Sequence, residues 1–533
     1  VLLVYDGEIG RGGSTILFAI TVLAFAVGLI VVPIVRLAAI SVGLIDRPDA
    51  HRKMHGREIA VGGGVGVLFT VIVVLFCFNY LSSTWYVHAE RHTTEFVGFT
   101  LAAVLLCAVG LLDDWKGLGG KKKLLGQAIS ATIVILTGPP IHDFSLFGFP
   151  LHLGILIYPL AIIWILGAIN SVNLIDGMDG LASSVGVSMM GAVAIIGLYF
   201  GHSTQGVIAL AAVGALLAFL VYNFYPASIF LGDTGSMLIG LGVGSLLLRV
   251  TANDAGVIPI AIPIAVMTIP FFDTTVAVIR RKFTGRSIYT TDRGHIHHCF
   301  RRKGMNVRWT MSCIALLSVI AGLGAIAAAV SHQDLFAILG SLLVVLLLAG
   351  TKSFGHNELQ LLFQQLRAFF VSFVTPSHEA DHDLRVQLQG EGNWEELWEE
   401  LKVTAQRMGL SRVRLDVNLP AMHEGYYAEW KSRARLTEES ASWNAIVPLV
   451  VNSRSIGRVE LSGERSQNPS FQNWLTSVGE LVEEVELRVT YLVQSHNKVS
   501  AKPVVVHVSD GPANHSPKMP EKLIEKEVIS SAR

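Results

Sequence analysis

Four short polar stretches interrupt an otherwise apolar sequence, and their side chains are of the kinds that handle phosphate and divalent cations. They are Leu112-Asp-Asp-Trp115, the run NSVNLIDGMDGLA from Asn170 to Ala182, FLGDTGS from Phe230 to Ser236, and DRGHIHH from Asp292 to His298. Clustered Asp and Asn oxygens suit Mg²⁺, which keeps several waters and takes only one or two protein carboxylates beside substrate phosphates. An ionisable side chain at the edge of a membrane segment needs a partner or a wet cleft, so it marks a functional site by default. The four stretches therefore read as one site.

Each stretch also admits a bland reading. Asp113 and Asp114 could be solvated acids at a helix end. However, neighbouring helical residues point about 100° apart, so one carboxylate could face a metal or nucleophile while the other orients a second group. Acids at a helix C-terminus also oppose the macrodipole, which favours a compensating role. In the central run, Asn170, Asn173, Asp176 and Asp179 recur every third position. Gly177 and Gly180 would let the backbone leave the helix and approach a ligand closely, so a polar, glycine-jointed loop is expected in place of an ordinary turn. Asp233 or Thr234 could simply cap the helix that follows, yet free N–H groups at a helix start also attract phosphate. His295, His297 and His298 adjoin Cys299, but no second cluster with zinc-ligand spacing accompanies them. Anion binding is expected there instead, with Arg280, Arg281, Arg286, Arg293, Arg301 and Arg302 nearby. Inward-facing positive loops would explain these arginines but not three clustered histidines.

The elements that must position these residues follow from hydropathy. The mean hydropathy is +0.52, and 15% of residues are charged against 51% apolar, far from soluble-domain composition. Apolar runs of spanning length fall at about 14–40, 62–81, 95–112, 124–141, 151–171, 182–200, 206–222, 236–250, 257–279, 311–330 and 334–350, which gives eleven expected helices. Lys and Arg total 41, as do Asp and Glu, so bulk charge makes no case for nucleic acid. The basic residues instead crowd alternate loops: Arg47 to Arg57, Lys116 to Lys123, and Arg280 to Arg308, with little beyond Arg91 and Arg249 in the other set. The positive-inside rule then puts the N-terminus outside and all four polar stretches, with the C-terminal tail, in the cytoplasm. Four cysteines in apolar or basic surroundings suggest no disulfide framework.

The expected fold class is an all-α polytopic membrane bundle with a C-terminal soluble α+β domain. The bundle would span residues 1–350, a linker or amphipathic segment 351–384, a cytoplasmic α+β domain 385–495, and a disordered tail 496–533. In the α+β part, Trp394 to Met408 has helical spacing, Val413 to Val417 and Asn444 to Val451 read as strands, a hairpin leads into Ile456 to Leu461, and a closing helix covers about 471–494.

Over about residues 14–350 the four stretches jointly resemble the signature of the polyprenyl-phosphate N-acetylhexosamine-1-phosphate transferases, the superfamily of the WecA and MraY enzymes. The HIHH spelling, LLDDW, FLGDTGS and the NxxNxxDGxDGLA run are similar to the WecA branch; the muramoyl-pentapeptide branch reads HHH. The resemblance implies transfer of N-acetylhexosamine-1-phosphate, most simply GlcNAc-1-phosphate, from a UDP-sugar to polyprenyl phosphate in a bacterial inner membrane, with UMP released. It also implies Mg²⁺, or Mn²⁺, held by Asn173 and Asp233. Asp113 and Asp114 would serve the polyprenyl phosphate and the metal environment, and Asp176 would support the site. Asp179 and Phe230 would hold uracil. The histidines and Arg293 would face the diphosphate and sugar. The first basic loop resembles the family's DxPxxRKxH…GG segment, making Lys53 and His55 substrate contacts; Ala60 stands where the family usually has proline. The tail after about 385 has no counterpart in short members, so its ligand or partner would be its own, and a homo-oligomer is compatible with the reading. Two competing classes remain. A transporter or flippase would need acids near the bilayer midplane and repeated halves, and a catalytically silent scaffold would lack motif residues.

Overall fold

The computed structural model describes residues 11–47, 58–81, 93–283, 294–374, 382–389, 394–419, 424–432, 442–451, 454–464 and part of 483–491. Lys53, His55, Arg293, Arg91, the tail 496–533 and most of the closing helix at 471–494 lie outside the described residues.

The chain is a polytopic helical membrane protein. Among the described residues, seven helices are long and apolar enough to cross a membrane, and 63–78 and 334–350 add two shorter apolar helices. In chain order the bundle runs α1 (Arg11–Ser41), α2 (Gly63–Leu81), α3 (Thr93–Lys116), α4 (Gly120–Thr137), α5 (Ile157–Ile175), α6 (Leu181–Tyr199), α7 (Ser203–Asn223) and α8 (Gly232–Val250). It continues with α9 (Ala261–Val266), α10 (Thr268–Phe283), α11 (Ile296–Arg302), α12 (Val307–Ser331) and α13 (Asp334–Gly350). The span expected at 257–279 is thus not one uninterrupted helix. It opens with the short strand Val257–Pro259 and is broken at Met267. Pro270 supplies the reason, since it has no N–H to give to the carbonyl four residues back. The span expected from 151 likewise starts later, because 149–151 belong to an antiparallel hairpin with Asp143–Leu146.

Helix α8 is the axis of the bundle. It is the most buried of the seven long helices, although it is the least apolar of them. Small residues resolve this paradox. A Cβ on Gly240 would lie 2.5 Å from the Ile169 Cα, and one on Gly235 would lie 2.9 Å from the Gly64 Cα. Glycine lets α5 and α2 press directly onto the α8 backbone, the close approach that drives helix association where lipid is as apolar as leucine. Helix α8 also packs on α3 and α6. Asp233 stands in its first turn and Arg249 in its last, each at the end the helix dipole favours.

Arg249 is not the external-loop cation expected from its position. It is buried and paired with Glu95 of α3, gives a second bond to the Val134 carbonyl at 3.0 Å, and Glu95 also accepts from Gln205 at 2.9 Å. The knot joins α3, α4, α7 and α8 at the end of the bundle opposite Asp233. Removing one member of such a pair leaves an uncompensated buried charge, which costs about 3–5 kcal/mol.

After α13 comes α14 (His356–Val374), within the stretch expected as a linker or amphipathic helix. Its first turns are packed: Glu358 and Leu361 are buried. Beyond it, five antiparallel strands stand in the order β6 (His382–Gln389), β8 (Glu424–Lys431), β7 (Arg412–Leu419), β10 (Arg454–Glu464), β9 (Ser442–Val451), with Ile45–Asp46, Ile59–Ala60, Asp143–Leu146, Phe149–Leu151 and Val257–Pro259 numbered β1 to β5. Helix α15 (Trp394–Arg407) lays Trp394, Leu397, Trp398 and Leu401 on one face of this sheet, against Val413, Leu415, Val417 and Trp430. On the other face, Leu361 of α14 meets Leu384, Val386, Leu388 and Tyr427.

Candidate functional site

The aspartates, amides and histidines converge at one end of the bundle, and the convergence begins with helix ends. Helix α5 does not unravel at Asn170, as a glycine-jointed loop would require. It stays helical to Ile175 and is capped at Asp176, so Asn170 and Asn173 project from its last turns. The non-helical turn runs over 176–180 and closes on Gly180 with φ +73°, one residue before α6. Helical spacing explains this: residues three and four apart share a helix face, so a three-residue polar period followed by glycines fits a wet helix end as well as a loop.

Asp113 and Asp114 divide their work as adjacent helical residues must. Asp114 caps the start of α8: its carboxylate accepts the N–H of Asp233 at 2.9 Å, the N–H of Thr234 at 3.2 Å and the Thr234 hydroxyl at 2.7 Å. It satisfies orphan donors of a foreign helix, and Gly232, with φ +74°, leaves the space, since a Cβ there would lie 2.6 Å from the Asp114 Oδ2. Asp114 is therefore engaged in holding Asp233 in place. Asp113 faces inward. Its Oδ1 accepts the Leu118 N–H at 2.6 Å and its Oδ2 meets the Lys123 ammonium at 2.9 Å.

Lys123 stands at the centre of the cluster. Its Nζ lies 2.6 Å from the Asp233 Oδ2, 2.9 Å from the Asp113 Oδ2 and 3.3 Å from the Asn173 Oδ1. Asn173 completes the ring by donating to the Asp233 Oδ1 at 2.6 Å and to the Ser236 hydroxyl at 2.9 Å. Gln127, one helical turn after Lys123, accepts from Asn170 at 2.8 Å and so locks α4 to α5. Two carboxylates and an amide oxygen gathered on one cation form a donor set that fits a hard divalent ion, with the ammonium as its stand-in. Among the described residues no group of three His, Cys, Asp or Glu side chains could hold a metal. Such a cradle would therefore need water and substrate phosphate to complete Mg²⁺ coordination, which is how this ion is usually bound.

The second half of the site is the turn 176–180. Burial and repulsion from Asp233, Asp114 and Asp179 push the Asp176 carboxyl up to about 8. Asp179 accepts the Ala227 N–H at 2.9 Å, tying this turn to the segment before Phe230. Asn223 makes the companion link, accepting from the Gly180 N–H at 3.0 Å and from the Ser183 hydroxyl at 3.1 Å while donating to the Ile229 carbonyl at 2.9 Å. Phe230 in turn joins the glycine pair of the first basic loop, its N–H donating to the Ala60 carbonyl at 2.8 Å and its carbonyl accepting from Gly63 at 2.9 Å. Ala60, where proline was expected, sits in a two-residue strand whose carbonyl does this work.

The histidines close over Gly177, where a Cβ would lie 2.5 Å from the His297 Nε2. His297 is buried and both of its ring nitrogens lack a protein hydrogen-bond partner. Burial and the neighbouring His298 and His295 rings hold its pKa well below the usual imidazole value, so it is neutral. His298 packs on it with ring centroids 4.2 Å apart. His295 faces elsewhere: its Nδ1 is 2.9 Å from the Asp273 Oδ2, and the Asp273 Oδ1 accepts the Ile296 N–H at 2.8 Å. Of the arginines expected to bind anions, Arg280 is buried in an ion pair with Glu358, and Arg301 donates to the Met305 carbonyl at 2.9 Å. Arg286 and Arg293 lie outside the described residues.

Lys123, Gln127, Asn223 and Asp273 were not singled out from the sequence as site residues. Asp273 carried the clearest missed signal, a lone acid in the apolar run IPFFDTTVAV; Lys123 was hidden in a lysine triplet that positive loops explain equally well.

Two outcomes follow from this geometry. The Asp176 carboxyl binds its proton more tightly when folded than unfolded, so native stability should fall as pH rises from about 4 through about 8. Asp176→Asn should flatten that decline in thermal unfolding followed across pH. Replacing the central cation by Lys123→Met leaves Asp113 and Asp233 facing each other, so Mg²⁺ should raise the unfolding midpoint of the variant more than that of the parent protein. Equal shifts would show that the cradle does not hold the ion.

Residues 96–251 match the model of a family described as glycosyl transferase family 4. The probable undecaprenyl-phosphate N-acetylglucosaminyl 1-phosphate transferase of Bacillus subtilis is 34% identical over 311 residues, 57% of this chain and 84% of the relative. The undecaprenyl-phosphate alpha-N-acetylglucosaminyl 1-phosphate transferase of Salmonella typhi is 30% identical over 306 residues, covering 56% and 80% respectively. The decaprenyl-phosphate N-acetylglucosaminephosphotransferase of Mycolicibacterium smegmatis is 29% identical over 317 residues, covering 55% and 77%. The chain belongs to glycosyl transferase family 4, within the superfamily of polyprenyl-phosphate N-acetylhexosamine-1-phosphate transferases.

Proposed function

We propose that the protein transfers GlcNAc-1-phosphate from UDP-GlcNAc to a polyprenyl phosphate such as undecaprenyl phosphate, releasing UMP. The observation that carries this reading is the ring of Asp113, Asn173 and Asp233 around one ammonium, set beside an unpartnered imidazole. The names of its relatives support the same chemistry. A phosphate oxygen of the lipid attacks the sugar-linked phosphorus of the donor, and the bond from that phosphorus to the oxygen bridging to the uridine-bearing phosphate breaks. The lipid phosphate is already largely ionised at neutral pH, so no protein base is required. Mg²⁺, held by Asp233 and Asn173 with Asp113 adjacent, supplies charge neutralisation for the diphosphate when bound. Lys123 is available to shift from its carboxylate partners to a phosphate oxygen, and Asp114 keeps the start of α8 aimed at the same point. Asp179 and Phe230 are placed to meet uracil, and neutral His297 to donate to the diphosphate or sugar.

Uracil and phosphate contacts are common to all UDP-amino sugars, so only the sugar-facing segment can discriminate between them. The HIHH spelling favours a small hexosamine over UDP-MurNAc-pentapeptide. Incubation with undecaprenyl phosphate and each donor in turn, with UMP release and lipid product followed by mass, should show transfer from UDP-GlcNAc and little from the pentapeptide donor. The opposite preference assigns the protein to peptidoglycan-precursor synthesis.

The reading also carries eleven membrane crossings, with the site and the five-stranded domain facing the cytoplasm of a bacterial inner membrane, where nucleotide sugars are available. In intact cells, an impermeant thiol reagent should label His152→Cys and spare Lys303→Cys in a cysteine-free background. Labelling of position 303 from outside rejects the orientation.

A further inference from the structure

Among the buried polar residues of helix α10 are Asp273 and Arg280, seven positions apart and hence on one face. Asp273 fastens the start of the histidine segment, through the His295 ring at 2.9 Å and the Ile296 N–H at 2.8 Å. Two turns later, Arg280 is buried against Glu358 of α14. The same region is sealed by Phe354, 2% exposed and edge-on to Phe272 with ring centroids 5.5 Å apart, and by Gly355, where a Cβ would lie 2.7 Å from the Phe272 ring. The sidechain of Cys299 in α11 feels both members of the Arg280–Glu358 pair. The histidine segment, α10 and α14 are therefore joined by buried polar and aromatic contacts, none of which touches the Asp113–Asn173–Asp233 ring.

The same first turns of helix α14 are also held by the sheet. Leu361, one turn after Glu358, is fully buried among Leu384, Val386, Leu388 and Tyr427 of the five-stranded sheet. Asn357 reaches the Leu388 carbonyl at 3.5 Å. Neighbouring positions of one helical turn thus hold the sheet and the root of the histidine segment.

We infer that Glu358 is a positioning residue for the histidine segment, and that through it the C-terminal sheet sets how firmly His297 is presented over Gly177. The inference rests on the proposed transfer only for its kinetic consequence. Movement of α14 relative to α10, by a ligand or partner of the sheet, must either strip Arg280 of its carboxylate or drag α10 with it. A buried ion pair broken on one side is strongly unfavourable, so the second course is favoured and Asp273 moves with Arg280. This makes residues 351–361 part of the catalytic body, and a boundary between the two parts falls after the first turns of α14 and not near 350.

The test uses the full-length protein in detergent with Glu358→Gln, Asp273→Asn and both together. Hydrogen–deuterium exchange over residues 294–302 should rise roughly tenfold in each single variant and no further in the double, because both act on one coupled unit. Exchange in the external hairpin 143–151 should not change. In the transfer assay Glu358→Gln should raise KM for UDP-GlcNAc or lower kcat by roughly 10-fold, the scale typical of a lost supporting contact, while KM for undecaprenyl phosphate stays within about twofold. The charge-swapped pair Arg280→Glu with Glu358→Arg, which keeps an ion pair, should return exchange over 294–302 towards the parent value and guards against a Glu358→Gln protein that folds poorly. Unchanged exchange over 294–302 in Glu358→Gln, or effects of the two single variants that multiply, overturns the inference even if transfer from UDP-GlcNAc is confirmed. Raised exchange in a protein that shows no transfer from UDP-GlcNAc leaves the inference standing and removes the proposed donor.

Discussion

The site depends on one capping interaction between helices that are distant in sequence. Asp114 ends α3, yet its carboxylate is taken up by the first N–H groups of α8 and by the Thr234 hydroxyl. An acid at a helix C-terminus is unfavourable to its own helix, and helix starts elsewhere need acceptors. Placing one against the other resolves both problems at once. It also fixes where Asp233 points, leaving Asp113, the neighbouring residue, free to face the opposite way towards Lys123. The glycines at 64, 110, 232 and 235 follow from the same contact, because a side chain at any of them would push α2, α3 or the loop before α8 off the capped end.

The charge arrangement of the bundle then becomes intelligible. Several carboxylates near helix ends meet a cation: Asp113 and Asp233 share Lys123, Glu95 takes Arg249, and Glu358 takes Arg280. What distinguishes the Lys123 cluster is surplus. It has two carboxylates and an amide for one ammonium, with Asp176 and Asp179 in the next turn. A balanced buried pair holds helices together; an unbalanced one is ready for a further cation. The unpartnered nitrogens of His297 supply matching capacity for an anion on the far side of Gly177.

Much of this was legible in the sequence. The polar stretches stood out because lipid tolerates no idle Asp or Asn, and the apolar segments between them are helices with ends within a few residues of those expected. The polar period of three was read as one loop from Asn170, when Asn170 and Asn173 stand on the last turns of a helix and the glycine-jointed turn covers only 176–180. Proline at 270 broke an apolar run that hydropathy alone treats as continuous. In the C-terminal part, β7, β9, β10 and α15 were visible from alternation and helical period, whereas β6, His382–Gln389, and β8, Glu424–Lys431, were not. The β8 acids Glu424 and Glu429 are buried, Glu429 between Arg412 and Arg414 and Glu424 on the Trp394 ring nitrogen. A central strand that carries its charges inward loses the polar-out signature by which strands are read.

The same limitation explains why the stretch holding α14 was read as a linker or amphipathic segment and not as part of the packed body. Its sequence offers an amphipathic pattern, and amphipathicity says only that one face is apolar, not what it lies against. The decisive residue is polar: Glu358 has meaning only once Arg280, far away in sequence and in a basic helix end that positive-inside charge would explain, is brought beside it. Pairing between distant charges is set by the packing of the helices that carry them, so it leaves no mark in local composition. For Asp273 the situation is different. Within a segment of membrane-spanning hydropathy, an aspartate has no bland explanation, since solvated faces and surface caps are not on offer there. The physical rule that identified Asn173 and Asp176 applies to Asp273 with equal force, and the structure gives its reason in the histidine segment it holds.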